Sequence, residues 1–100
     1  MALTIIWSPK SQKTFDKIII YILNHFTERE VKKFIAEVNG KLETIVSFPK
    51  AYPKSKQNKK LHHCVINKFT SMVYRYEEEK QTIEIVLFWD NRTNPDKIKP

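Results

Sequence analysis

Two adjacent histidines, His62 and His63, are the side chains best matched to proton transfer near neutral pH. A histidine can take a proton from an attacking hydroxyl or return one to a leaving group. Lys68 or Arg92 could then hold the negative charge that builds on a phosphate. Neighbouring residues of a strand point to opposite faces, so only one of the two histidines can line a given site. Trp89, Asp90 and Arg92 follow an apolar run, where a scaffold commonly presents functional groups. Glu77-Glu78-Glu79 sits between two strand-like runs and reads as a solvated turn. Cys64 has an apolar context and no cationic neighbour in sequence, so it reads as a small core residue. No G-x-S-x-G elbow is present.

Several chemistries are excluded by what is missing. Gly40 is the only glycine of 100 residues. Both G-x-x-x-x-G-K-[ST] and G-x-G-x-x-G need glycines so that backbone can approach phosphate, and neither fits here. One cysteine cannot make an internal disulfide or a multi-cysteine zinc site, and no H-x₃₋₅-H spacing occurs. We therefore expect no metal and no cofactor. The N-terminus has no basic segment ahead of an apolar stretch. The longest apolar run, Ile18 to Leu23, falls well short of the roughly 20 residues of a membrane span. The expectation is a cytoplasmic protein without a membrane partner.

The charge is localised. From Thr44 to Tyr76 there is no Asp or Glu, while Lys50, Lys54, Lys56, Lys59, Lys60, Lys68 and Arg75 all lie there. The remaining segments carry eleven basic and eleven acidic residues, so the formal +7 comes from one third of the chain. Such a field suits a polyanion or an acidic protein. Phe48, Tyr52, Phe69, Tyr74, Tyr76, Phe88 and Trp89 lie in or near this basic half, and basic residues interleaved with aromatics suit stacked bases of RNA. Lys54, Lys56, Lys59, Lys60, Arg75, Trp89 and Asp90 are the candidates for contact with a partner or nucleic acid.

The elements that must position these groups read in order. Thr4 to Trp7 is β-branched and aromatic and predicts a strand. Ser8-Pro9 offers an N-cap and a proline for the first helical turn. Phe15, Ile18, Ile19, Ile22 and Phe26 then make one helical face over about 10–25. Thr27-Glu28-Arg29-Glu30 has the form of a capping box. From it a second helix should run to about 47, with Val31, Phe34, Ile35, Val38, Leu42 and Ile45 on its apolar stripe. Gly40 lies inside that helix and predicts close backbone packing or a bend. Phe48-Pro49 ends it, and 49–60 is a lysine-rich loop. Strands follow over Leu61–Asn67, Ser71–Tyr76 and Thr82–Trp89. Their short polar links predict an antiparallel meander. The last strand is apolar on both faces from Ile85 and should be interior to the sheet. Residues 90–100 read as a polar tail. The fold class is α+β, in the order β-α-α-β-β-β. An antiparallel helical hairpin packs on one face of a mainly antiparallel sheet, in one domain spanning 1–100.

The run I-x-W-S-P-x-x-x-x-x-F-x-x-I-x-x-Y (Ile5 to Tyr21), Phe48-Pro49, Met72-Val73-Tyr74-Arg75-Tyr76 and Ile83-x-Ile85-x-x-Phe88-Trp89-Asp90-x-Arg92-x-x-Pro95 together resemble the RelE/ParE toxin superfamily. The resemblance implies the toxin half of a type II toxin–antitoxin pair, of the kind also called plasmid stabilisation proteins, neutralised by a cognate antitoxin. Members of the RelE type cut mRNA on the ribosome with sheet lysines and arginines and a C-terminal tyrosine; those of the ParE type act on DNA gyrase. By position, the sheet lysines would fall near His62 and Cys64 and one arginine near Ser71, and only the last arginine is matched, by Arg92. No aromatic residue follows Trp89. The resemblance therefore implies a ParE-like toxin that acts by binding. The alternative is an mRNA endoribonuclease with His62, Arg92 and Lys68 as an atypical catalytic set.

Overall fold

The computed structural model describes residues 3–91 and contains the elements β1 (Thr4–Trp7), α1 (Pro9–His25), α2 (Glu28–Ser47), β2 (His62–Val65), β3 (Thr70–Glu77) and β4 (Thr82–Asp90). The α+β order is the expected one. The sheet runs β1-β4-β3-β2. β2, β3 and β4 form the antiparallel meander, and β1 lies parallel to β4, which makes the sheet mixed. β4 is interior, as its two-sided apolar run requires.

The helical hairpin covers one sheet face. Phe34, Val38, Leu42 and Ile45 of α2 are buried against Cys64, Met72, Tyr74, Ile83, Ile85 and Phe88, with Phe15, Ile18, Ile19 and Ile22 of α1 packed alongside. Phe26 is a departure from the expected stripe. It is the C-cap of α1, outside the last turn, and is 59% exposed. On the opposite face a second cluster of Leu61, Val73, Val86 and Leu87 is buried beneath Trp89.

The two helices start differently. Ser8 caps α1 as expected: its Oγ accepts from the Ser11 amide at 3.0 Å and donates to the Val86 carbonyl of β4 at 2.7 Å. Thr27 is the N-cap of α2, but its side chain makes no capping bond, contrary to the capping-box expectation. The Thr27 carbonyl takes the Glu30 amide instead, at 3.1 Å. Ser8→Ala should therefore cost about 2 kcal/mol, since it removes a cap and leaves a part-buried carbonyl without its donor. Thr27→Ala should stay within about 0.5 kcal/mol. Urea midpoints for the two variants test the contrast, and equal losses would contradict it.

Gly40 also departs from expectation. It is exposed within α2, and a Cβ there would meet nothing within 4 Å. No close approach explains it, so it brings only the helix-interior cost of glycine. Gly40→Ala should stabilise the fold by about 1 kcal/mol, visible as a raised melting temperature.

β4 carries a bulge that decides what each face displays. Val73 pairs with Leu87 while its neighbour Tyr74 pairs with Ile85, so Val86 has no partner on β3. Strict alternation from Ile83 and Ile85 would send Leu87 and Trp89 towards the helices. The extra residue inverts this, so Phe88 faces the helices and Trp89 the open face. β1 ends at Trp7, and α1 completes the backbone bonding of β4 beyond it. The Phe88 amide donates to Thr14 Oγ1 at 2.9 Å, and the Val86 carbonyl accepts from Ser8.

Candidate functional site

Alternation along β2 separates the two histidines. His62 pairs with Tyr74 on the helix-covered face. It is 9% exposed, stacks on the Tyr74 ring with centroids 5.0 Å apart, and its Nδ1 lies 2.8 Å from the Tyr52 carbonyl. Tyr74 in turn donates to the Pro49 carbonyl at 2.7 Å. These contacts tie the start of the 49–60 segment to the sheet. Cys64 shares this covered face, and burial pushes its thiol up to about 11, so at neutral pH it is a protonated core side chain. His62 and Cys64, the positions expected to replace the sheet lysines, thus lie under the helices.

The face away from the helices presents the other set, around the buried Val73, Val86 and Leu87. His63 stands opposite Val73, and its ring lies 4.9 Å from that of Trp89 at an angle of 57°. Its Nε2 is buried without a partner among the described residues, and burial holds its pKa below the usual histidine range. Arg75 follows on β3, with one guanidinium nitrogen 3.6 Å from Glu84 and its Nε without a partner among the described residues. Sequence reasoning weighed both histidines and put His62 in the candidate set; that His63 is the one beside Trp89 follows from the pairing register and the bulge.

The lowered pKa of His63 carries a sign. An unfolded histidine titrates near 6.5, and in the folded chain the neutral form persists to lower pH. The resulting stability is fully present above about 6.5 and is lost as pH falls through that value towards the depressed folded pKa. Urea midpoints compared between pH 5 and 7.5 should fall with pH in the native chain and fall less steeply in His63→Gln.

The lysines expected to meet a partner lie on one border. Lys54, Lys56, Lys59 and Lys60 are all exposed. Their segment runs along β2, with Lys54 bridged to His62 and the Ser55 amide donating to the Leu61 carbonyl at 2.8 Å. Lys68 stands at the other end of β2, exposed in the β2–β3 turn, with its Nζ 5.0 Å from the Phe69 ring centre. Trp89 and Asp90 are not brought together. Asp90, opposite Thr70, lines the helix side. Arg92 lies outside the described residues.

Asp90 borders a groove of about 490 Å³ between the hinge end of the hairpin and the β2–β3 turn. Ile18, Tyr21, Ile22, Phe26, Phe34 and Phe69 give it apolar walls, and Lys17, Lys33, Lys68, Glu30 and Glu37 share its rim with Asp90. Asn67 holds the turn in place: its side-chain amide donates to Glu37 at 3.2 Å, and its Oδ1 accepts from the Phe69 and Thr70 amides. Asn91 closes the same corner, accepting from the Ser71 hydroxyl and donating to the Asn67 carbonyl. Sequence reasoning missed the groove, although an aromatic residue at each of two exposed turns, Phe26 and Phe69, marks it.

Over residues 5–95 the sequence matches the family described as the ParE toxin of the type II toxin–antitoxin system, parDE. The chain belongs to the ParE toxin family. It is the toxin component of a type II toxin–antitoxin system. Solved structures agree in fold. The chromosomal ParDE system of P. aeruginosa is 10% identical, with a TM-score of 0.72 over 88% of this chain and 95% of that one. The YoeB/ParE toxin of Agrobacterium tumefaciens is 14% identical, with a TM-score of 0.67 over 89% and 99%. The RelBE2 toxin–antitoxin complex of Mycobacterium tuberculosis is 14% identical, with a TM-score of 0.64 over 91% and 100%. No curated protein matches the sequence significantly. Among the described residues of this ParE-family chain, no cluster of His, Cys, Asp or Glu could hold a metal ion, and no helix is long and apolar enough to cross a membrane.

Proposed function

We propose that this toxin arrests growth by binding an essential target, in the manner of its family and with DNA gyrase as the target, and that it does not cut RNA. One observation supports the reading: among the described residues, the sheet face away from the helices brings together no set of groups able to cleave a phosphodiester. Attack by a 2′-hydroxyl needs a base, an acid and cations against the phosphorane charge. The histidine on that face, His63, is pushed towards its neutral form by burial, and its arginine, Arg75, is already beside Glu84. His62 is stacked beneath the helices. Purified toxin should inhibit gyrase supercoiling while reporter mRNA in a translation extract stays intact. Discrete mRNA cuts that disappear in His62→Ala and Arg92→Ala would instead establish the endoribonuclease reading, with Lys68 as the further cation.

The antitoxin contact follows from the same geometry. The groove beside Phe26 and Phe69 suits apolar anchors of a segment that folds on binding. The exposed Lys54–Lys60 border suits the acids of that segment. Binding there neutralises the toxin by covering the surfaces that its target would meet.

A further inference from the structure

The sheet has two edges, and the fold treats them differently. β2 is capped: the Ser55 amide donates to the Leu61 carbonyl and the His63 amide to the Pro53 carbonyl, both at 2.8 Å, and Lys54 is bridged to His62. β1 lies at the other edge and, among the described residues, pairs only with β4. We propose that β1 is an interface for a second copy of this chain, whose own β1 pairs with it antiparallel about a two-fold axis at Ile6 and joins the two sheets into one of eight strands. The inference goes beyond the gyrase and antitoxin readings and depends on neither.

The register follows from the backbone groups already in use. The Thr4 amide donates to the Gln81 carbonyl at 3.1 Å and the Ser8 amide to the Ile85 carbonyl at 3.0 Å. Direction alternates along a strand, so Thr4, Ile6 and Ser8 turn to β4, and the N–H and C=O of Ile5 and Trp7 turn outward. An antiparallel partner takes up such groups in pairs. Setting Ile5 opposite Trp7 of the second copy makes both N–H···O bonds, and the two-fold axis doubles them. Ile6 then faces Ile6 of the second copy in a pair without backbone bonds, where side chains approach most closely. Pro9 stops the ladder at each end, since it has no N–H to give.

The side chains and the charge favour a second copy over an unrelated strand. Edge strands commonly avoid pairing by carrying lysine, proline, an inward charge or a bulge, and Thr4-Ile5-Ile6-Trp7 has none of these. Ile6 is 46% exposed, at the one position that the axis sets against itself. Ile5 and Trp7 are already packed against the core, so pairing needs no rearrangement of β1. The formal +7 of each copy opposes association, but its lysine border runs along β2, three strands from β1. The two borders therefore stay about 30 Å apart, several Debye lengths at physiological salt. Paired residues of an antiparallel ladder share a face, so both helical hairpins lie on one side of the joined sheet. Four backbone bonds and one apolar pair are less than a permanent dimer buries, and the association is weak and concentration-dependent.

The test uses the purified full chain without antitoxin. Sedimentation equilibrium should show monomer at about 1 μM and a growing share of dimer towards about 500 μM, as a small interface requires. Ile6→Lys and Ile6→Glu should each stay monomeric, and an equimolar mixture of the two should associate again, because opposite charges then meet at the axis. Ile6→Cys should form a covalent dimer on mild oxidation, since the two Cα atoms lie about 4.5 Å apart, within disulfide reach. Thr4→Cys should not, its two copies standing about 14 Å apart in this register. Cys64 is fully buried and adds no cross-link of its own. A chain that is monomeric at every concentration overturns the proposal. So does a dimer that survives Ile6→Glu, a mixture no more associated than its components, or Thr4→Cys cross-linking as readily as Ile6→Cys. Gyrase inhibition and antitoxin binding enter none of these readouts.

Discussion

Phe88→Ala should lose about 3–5 kcal/mol, a large share of the roughly 5–15 kcal/mol that holds a domain folded. Phe88 is the hub of the aromatic layer between sheet and hairpin. Its ring lies 5.6 Å from Trp7 and 5.4 Å from Phe15, and Phe15 continues the stack to Phe34 at 5.6 Å. Truncation would empty a site bordered by three elements that are already tied by other bonds and could not close in. The register makes the prediction sharp. With uninterrupted alternation along β4, Leu87 would occupy this layer and Phe88 would stand on the open face. Urea denaturation measures the difference, and a loss under about 1 kcal/mol would mean that the bulge at Val86 is misplaced.

Replacing Lys54, Lys56, Lys59 and Lys60 together by Gln should slow association with the cognate antitoxin about tenfold, and dissociation should change little. Four exposed charges on one border would raise the encounter rate of an acidic segment from a distance, and on the proposed binding the contacts that hold it afterwards are those of the groove at the other end of β2. Raising salt should slow the native toxin towards the rate of the variant. Single replacements should be nearly silent, because an exposed ion pair contributes about 0–1 kcal/mol. Stopped-flow mixing gives both rates. An association rate unchanged by salt and by the quadruple replacement would remove the antitoxin from this border and leave it to the toxin's other ligands.

Much of the architecture was legible because its causes are local. Ser8-Pro9 marks the start of α1 whatever lies elsewhere, and the stripe of Phe34, Val38, Leu42 and Ile45 is a property of helical spacing. The apolar run from Ile85 required cover on both faces and so a place inside the sheet. Thr27 shows where this kind of reasoning ends: its position as N-cap was legible, but its hydroxyl bond was not, because the carbonyl of the same residue satisfies the amide instead. Gly40 suggested a close contact that the packing does not contain.

Local pattern was enough for the order of elements, the hairpin, the central strand, the uneven charge and the toxin family. Which side chains share a face came from the packed chain. Face is set by register, and a register contains no local signal when both faces of a strand are apolar. Ile85, Val86, Leu87 and Phe88 would pack acceptably in either phase. The unpaired Val86 is held by Ser8 and the Phe88 amide by Thr14, more than 70 residues away in the chain. These long-range bonds put Trp89 with His63 on the open face, Asp90 in the groove and His62 beneath the helices.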